Sequence, residues 1–231
     1  MNPETTVMTE TREAQVFLQP IAAPSILGLF AFASATFMVS AWMVGWYGSP
    51  RSPVYLVPFA ATFGGLAQLL AGMWSFKARD GLATAMHGMW GAFWLAYGLL
   101  QVLFIFQPAA RPAHLYFPEL GYWFITVAAI TWVGMIAASA ENMAITTLLG
   151  FLAAGSTIAA IAFLTGAGWV ETFAGYLLML SSFTAFYTAA AQLLNANLGR
   201  DVLKVGLSQR MREAPPIMSG RWEPGVIHGQ K

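Results

Sequence analysis

Few side chains in the apolar stretches of this chain could do chemistry. His87 is the only ionisable group near the interior of one, and no Lys, Arg, Asp or Glu lies well inside any. The amides Gln68, Gln101, Gln192 and Asn195 stand among residues that are otherwise apolar or small. Such groups can hydrogen-bond a solute, but they cannot assemble a general acid–base pair. There is no buried lysine for a Schiff base, and coupled transporters commonly keep an ionisable residue at depth. The chain has no cysteine, which excludes disulfides, iron–sulfur sites, thiol catalysis and Cys-ligated zinc. Haem ligation by two histidines is unsupported, since His114 falls in a loop and His228 in a polar tail. Neither enzymatic activity nor a cofactor or metal is expected. His87 itself has two readings, a bundle-facing imidazole with a satisfied hydrogen bond or a proton-handling group near one mouth.

These residues sit in a chain that only a bilayer can solvate. Of 231 residues, 58% are hydrophobic and 9% charged, against roughly 25% charged in soluble domains. Mean hydropathy is +0.61. The net charge of +1 argues against nucleic-acid binding. Charges punctuate the chain and leave uncharged runs, such as those between Arg51 and Lys77, Asp80 and Arg111, and Glu171 and Arg200. Each run holds about 20 apolar residues, the length of one transmembrane helix. The runs predict six spans at about 25–47, 55–76, 83–106, 121–139, 145–164 and 173–195. Their continuity excludes the alternating strands of a β-barrel. The fold class is therefore all-α and polytopic. Residues 1–22 read as a cytoplasmic N-terminal segment, 23–200 as one six-helix domain and 201–231 as a mobile cytoplasmic tail. The first 20 residues do not resemble a cleavable signal peptide. Nine basic residues fall on the side of the termini and two, Arg51 and Arg111, on the other, which puts both termini in the cytoplasm.

Small and polar residues recur at helical spacing: Thr62, Gly65, Gln68, Gly72 and Ser75; His87, Gly91, Trp94, Gly98 and Gln101; Thr184, Thr188, Gln192 and Asn195. Such stripes face other helices or a wet lumen, because lipid penalises their polar groups. Small residues alone fit any packed bundle; the amides point towards a water-accessible path. Trp42, Trp46, Tyr47, Tyr122, Trp123 and Trp74 fit interfacial belts. Phe32, Trp90 and Trp94 are deeper, in core packing or at a pore.

The residues also resemble those of a known family, the acetate uptake transporters, which include bacterial acetate/succinate channels and fungal acetate permeases. The resemblance covers roughly 20–206. Ala23-Pro24-Ser25-Ile26-Leu27-Gly28-Leu29 corresponds to the family's Asn-Pro-Ala-Pro-Leu-Gly-Leu. Gly64-Gly65-Leu66-Ala67-Gln68-Leu69-Leu70-Ala71-Gly72 matches Gly-Gly-x-Ala-Gln-x-x-Ala-Gly, and Gly91-Ala92-Phe93-Trp94-Leu95 is similar to Gly-Ser-Phe-Trp-Leu. Asn195-Ala196-Asn197-Leu198-Gly199-Arg200 is similar to Asn-Glu-x-x-Gly-Arg. The chain departs from the family at Ala23, Ile26, Ser75, His87, Trp90 and Gln192.

The resemblance implies passage of a small monocarboxylate, acetate first and succinate next, alone or together with a proton, across the inner membrane. It also implies a homohexamer with a pore in each protomer, narrowed by a ring from helices 1, 3 and 5. Motif alignment puts Phe32 and Trp90 in that ring. With termini inside, both lie roughly 10–12 Å deep, and Leu152 of helix 5 comes to the same level. A substrate path through Pro24, Gly28, Leu29, Gln68, His87, Trp94, Gln192 and Asn195 follows. The alternatives are a channel for another small solute such as ammonia, or a non-transporting membrane subunit or regulator.

The charge asymmetry is tested by tags. Reporters fused at residues 2 and 231 should report a cytoplasmic location and one inserted within 108–118 an external one; a terminus found outside would overturn the orientation.

Overall fold

The computed structural model describes residues 21–49, 51–112 and 115–213. His114 and His228, with the remainder of both terminal segments, lie outside them. Six helices are long and apolar enough to cross a bilayer: α1 Pro24–Met43, α2 Ser52–Ala78, α3 Gly81–Phe106, α4 Pro118–Ala138, α5 Met143–Thr165 and α6 Gly168–Leu198. A short α7, Gln209–Glu213, follows. The architecture is the all-α bundle that the uncharged runs imply.

Local chemistry sets the helix ends. Proline occupies the first turn of α1, α2 and α4, where its missing N–H costs nothing. Asp80 caps α3 by accepting from the Ala83 N–H at 2.8 Å, and Asn142 caps α5 by accepting from Ile145 N–H at 2.9 Å. Helix α1 stops at Met43, short of the expected residue 47. Gly45 and Gly48 take φ of 78° and 96° there, and Trp46 and Tyr47 belong to the resulting turn.

Helix α2 is not α-helical throughout. Its middle, Ala60–Ala67, is a π-helix, which the hydrophobic run does not reveal. Pro58, just before it, has no N–H for the ladder, and the Thr62 hydroxyl donates to the Pro58 carbonyl at 2.5 Å.

The packing reverses the soluble pattern. Large apolar side chains such as Phe59, Leu99, Phe106, Val133 and Ile136 are exposed around the outside. Gln68, Ser75, Thr131, Ser156, Thr188 and Gln192 are buried within. With hydrocarbon outside there is no penalty for exposed phenyl rings, and polar groups turn inward. Helix α5 packs between α4 and α6, α6 returns to α1, and α1 lies against α2 and α3. Helices α2 and α3 cross closely: a Cβ added at Gly91 would stand 2.6 Å from the Leu69 backbone nitrogen.

The chain after α6 departs from the expected mobile tail in its first part. Asn195 Oδ1 accepts from the Val202 and Leu203 N–H groups at 2.6 and 3.0 Å, and its Nδ2 donates to the Leu203 carbonyl at 2.8 Å. Beyond it, the Met143 and Ala144 N–H groups donate to the carbonyls of Gly206 and Val205 at 2.8 and 3.0 Å. Residues 202–203 are thereby held to the end of α6, and 205–208 to the start of α5 and the two residues before it.

Candidate functional site

Helices α1, α3 and α5 run in the same direction and deliver three large side chains to one level. Phe32, Trp90 and Leu152 lie eight, nine and nine residues beyond the first residue of their helices, or about 12–14 Å along each axis. All three are buried, at 3%, 3% and 2% exposure. The Phe32 and Trp90 rings meet edge to face with centroids 6.2 Å apart. Trp90 is fixed from a fourth helix: its indole N–H donates to Thr131 Oγ1 at 3.2 Å, and Thr131 donates to the Val127 carbonyl at 2.6 Å.

Two cavities meet at this level. One, of about 50 Å³, lies towards the end where α1 begins and α6 ends, and its wall includes Ser25, Gln68, Asp80, His87, Glu141 and Gln192. The other, of about 220 Å³, opens towards the opposite end, with Trp42, Arg111 and Glu171 near its mouth. Trp90 and Leu152 belong to both walls, while Phe32 closes the smaller one. An apolar ring thus separates two chambers that reach opposite ends of the bundle.

The cavity walls hold buried polar atoms with no protein partner among the described residues. In the smaller cavity these are Gln68 Oε1, His87 Nδ1 and Gln192 Oε1, and in the larger one Thr36 Oγ1 and Trp94 Nε1. An unpartnered buried polar group costs about 1–3 kcal/mol, so such a concentration along one axis would be costly in a dry, closed core. His87 is 5% exposed and packs on Gly28, where an added Cβ would come within 2.6 Å of the imidazole. The satisfied-imidazole reading therefore does not describe Nδ1. At the mouth, burial pushes the Asp80 carboxyl above the ordinary carboxylate range, against the Ala83 and Leu82 N–H groups and Ser25, which favour its charge. Asp80 accordingly loses its charge at a higher pH than an exposed aspartate does.

Of the path residues read from the sequence, Leu29, Gln68, His87 and Gln192 gather around the smaller cavity and Trp94 faces the larger one. Pro24, Gly28 and Asn195 wall neither. Pro24 starts α1, Gly28 backs the imidazole, and the Asn195 amide is consumed in holding residues 202–203. Sequence reasoning missed Thr131 and the aromatic ladder of the larger chamber. Trp90, Phe93, Phe124 and Phe163 follow one another at centroid distances of 5.0, 5.5 and 5.5 Å. Thr131 was visible as a hydroxyl in mid-span; the ladder joins α3, α4 and α5 and has no local signature.

Six membrane-length helices around two end-facing chambers define a transport protein of the bilayer. The chain belongs to the GPR1/FUN34/yaaH family, whose family model matches residues 6–202. It is similar to the succinate-acetate/proton symporter SatP of Escherichia coli (strain K12), at 25% identity over 194 residues, covering 81% of this chain and 97% of that protein. It is also similar to the ammonia transport outward protein 2 of Saccharomyces cerevisiae, at 27% identity over 172 residues, covering 74% and 61%. The solved structure of the bacterial acetate channel SatP shares the fold, with a TM-score of 0.72 at 23% identity over 81% of this chain and 100% of that one.

The Trp90–Thr131 bond makes its own prediction. Thr131→Val keeps the volume and strands the Trp90 N–H, so it should lower stability by about 1–3 kcal/mol. Thr131→Ser should restore most of that loss. Thermal unfolding in detergent reads both, and an unchanged midpoint for the valine variant would show that the bond carries no stability.

Proposed function

We propose that this protein carries small monocarboxylates, acetate first and succinate next, through a pore within each protomer of an inner-membrane homohexamer. The observation that carries the reading is the apolar ring of Phe32, Trp90 and Leu152 between two chambers whose walls hold unpartnered polar atoms. The names of the bacterial relatives support acetate as the first solute to test. Both termini face the cytoplasm on this reading, so the small chamber is the inner one and the large chamber the outer.

The ring sets the mechanism. A carboxylate entering a ring of phenyl, indole and isobutyl groups must shed water, and the one Lys or Arg of the described spans, Lys77 at the end of α2, lines neither chamber. The neutral acid sheds water at far lower cost. The solute therefore passes as the protonated acid, or as an anion moving with a proton. Gln68, His87 and Gln192 receive it on the inner side, and Thr36 and Trp94 on the outer side.

The yeast relative named for ammonia transport supports a second reading, in which a small neutral amine takes the same path. A third outcome is a sealed membrane subunit. Purified protein in liposomes separates them: acetate-driven flux supports the carboxylate reading, flux of ammonium alone the second, and a correctly assembled but sealed oligomer the third.

Two variants sharpen that assay. Trp90→Ala should speed acetate flux or admit bulkier acids; unchanged flux and selectivity in a folded variant would remove Trp90 from the constriction. The pH profile should rise only towards acid, since short carboxylic acids titrate near 4 to 5, as Asp and Glu do, and an ordinary imidazole near 6.5. That rise should survive His87→Phe. A second inflection between about pH 6 and 7 that disappears in His87→Phe would instead make His87 a relay.

A further inference from the structure

One helical turn beyond the apolar ring, towards the outer chamber, the same three helices present polar groups. Thr36, Trp94 and Ser156 each follow Phe32, Trp90 and Leu152 by four residues, which keeps them on the same helix faces. They are 4%, 4% and 0% exposed, and Thr36 Oγ1, Trp94 Nε1 and Ser156 Oγ have no hydrogen-bond partner among the described residues. Other buried hydroxyls of the bundle do not behave this way. Ser75, Thr131, Ser182 and Thr188 donate to backbone carbonyls at 2.9, 2.6, 2.8 and 2.7 Å. Thr36 and Trp94 line the larger cavity; Ser156 stands at their level on α5 without reaching its wall.

The chemistry of these atoms selects a class of ligand. An indole N–H only donates, and a threonine hydroxyl can donate. Two donors with no acceptor partner suit an oxygen anion. The rest of the chamber is much larger than the methyl group of acetate requires. It holds about 220 Å³ against about 50 Å³ in the inner chamber, and its wall is built from the Phe93–Phe124–Phe163 ladder. Aromatic walls of this kind hold an aryl or branched apolar body by area and edge-to-face contact. Such a body is wider than acetate and meets, at the ring below it, the edge-to-face pair of Phe32 and Trp90 with centroids 6.2 Å apart.

We propose that the outer chamber is a binding site for hydrophobic monocarboxylates larger than acetate, held head-first by Trp94 and Thr36 with the apolar body against the aromatic ladder, and that these acids plug the pore instead of crossing it. The plugging half rests on the transport reading above; the binding half does not.

Phenylacetate is the probe. Titrated calorimetrically into the purified full-length protein in detergent, it should bind saturably at one site per chain. Trp94→Phe, which keeps a ring and removes the N–H, should weaken it by about tenfold or more, and so should Thr36→Val. Benzyl alcohol, without the carboxylate, should bind far more weakly than phenylacetate. In liposomes, phenylacetate added on the Arg111 side should block acetate flux and should not itself enter. No saturable binding, binding unchanged in both folded variants, or entry of phenylacetate as fast as acetate would each overturn the proposal. Saturable, Trp94-dependent binding in a protein that moves no acetate would sink the transport reading and leave the site standing.

Discussion

Hydrocarbon solvates the outside of this bundle, and that constraint orders everything inside it. A polar side chain on a lipid-facing surface has no partner there, so Gln68, Gln101, Gln192, Asn195, His87 and hydroxyls such as those of Thr36, Ser75, Ser156 and Thr188 turn inward. Many large apolar groups, among them Phe59, Leu99, Phe106, Val133 and Ile136, stay at the rim. The axis of the bundle consequently collects Thr36, Gln68, His87, Trp94, Ser156 and Gln192, all buried and each with an unpartnered atom. In a soluble core such a set would be a fault, since each atom is bonded to water in the unfolded chain. Five of the six line the two chambers, and Ser156 does not.

Across that lining lies a barrier made of packing. Phe32, Trp90 and Leu152 come from three helices that run in parallel, and rings from those helices and α4 interlock beyond them. The bond from Trp90 to Thr131 fixes the indole against α4, so the narrowest point does not depend on a flexible loop. The chambers on the two sides are unequal, and the larger one carries the aromatic wall. On the proposed reading, such a ring between unequal chambers would filter by size and by the cost of dehydration.

Much of this was legible in the sequence. The uncharged runs gave the six spans because ionisable residues are tolerated only outside the hydrocarbon, and charge is a property of single residues. Phe32, Trp90 and Leu152 could be brought to one level because depth along a helix is simple arithmetic. What the sequence withheld was relational. The π-helix at Ala60–Ala67 follows Pro58, which has no N–H for the ladder and whose carbonyl accepts from the Thr62 hydroxyl. Asn195 looked like a path residue by spacing, yet its amide reaches along the chain to residues 202–203. The aromatic ladder joins helices distant in sequence, and no periodicity within one helix announces it. Pro24 and Gly28 sit in a family-like motif but serve to start α1 and to seat the imidazole.

The division of the axis into two separately accessible chambers can be read directly, because the chain has no cysteine. Thr36→Cys and Gln192→Cys, each made as a single variant in sealed vesicles, give one thiol on either side of the apolar ring. A small membrane-impermeant thiol reagent should modify Thr36→Cys only from the side opposite the termini, and Gln192→Cys only from the side that carries them. Modification of both from the same side, or of either from both sides at equal rates in a folded protein, would contradict a barrier at Phe32, Trp90 and Leu152.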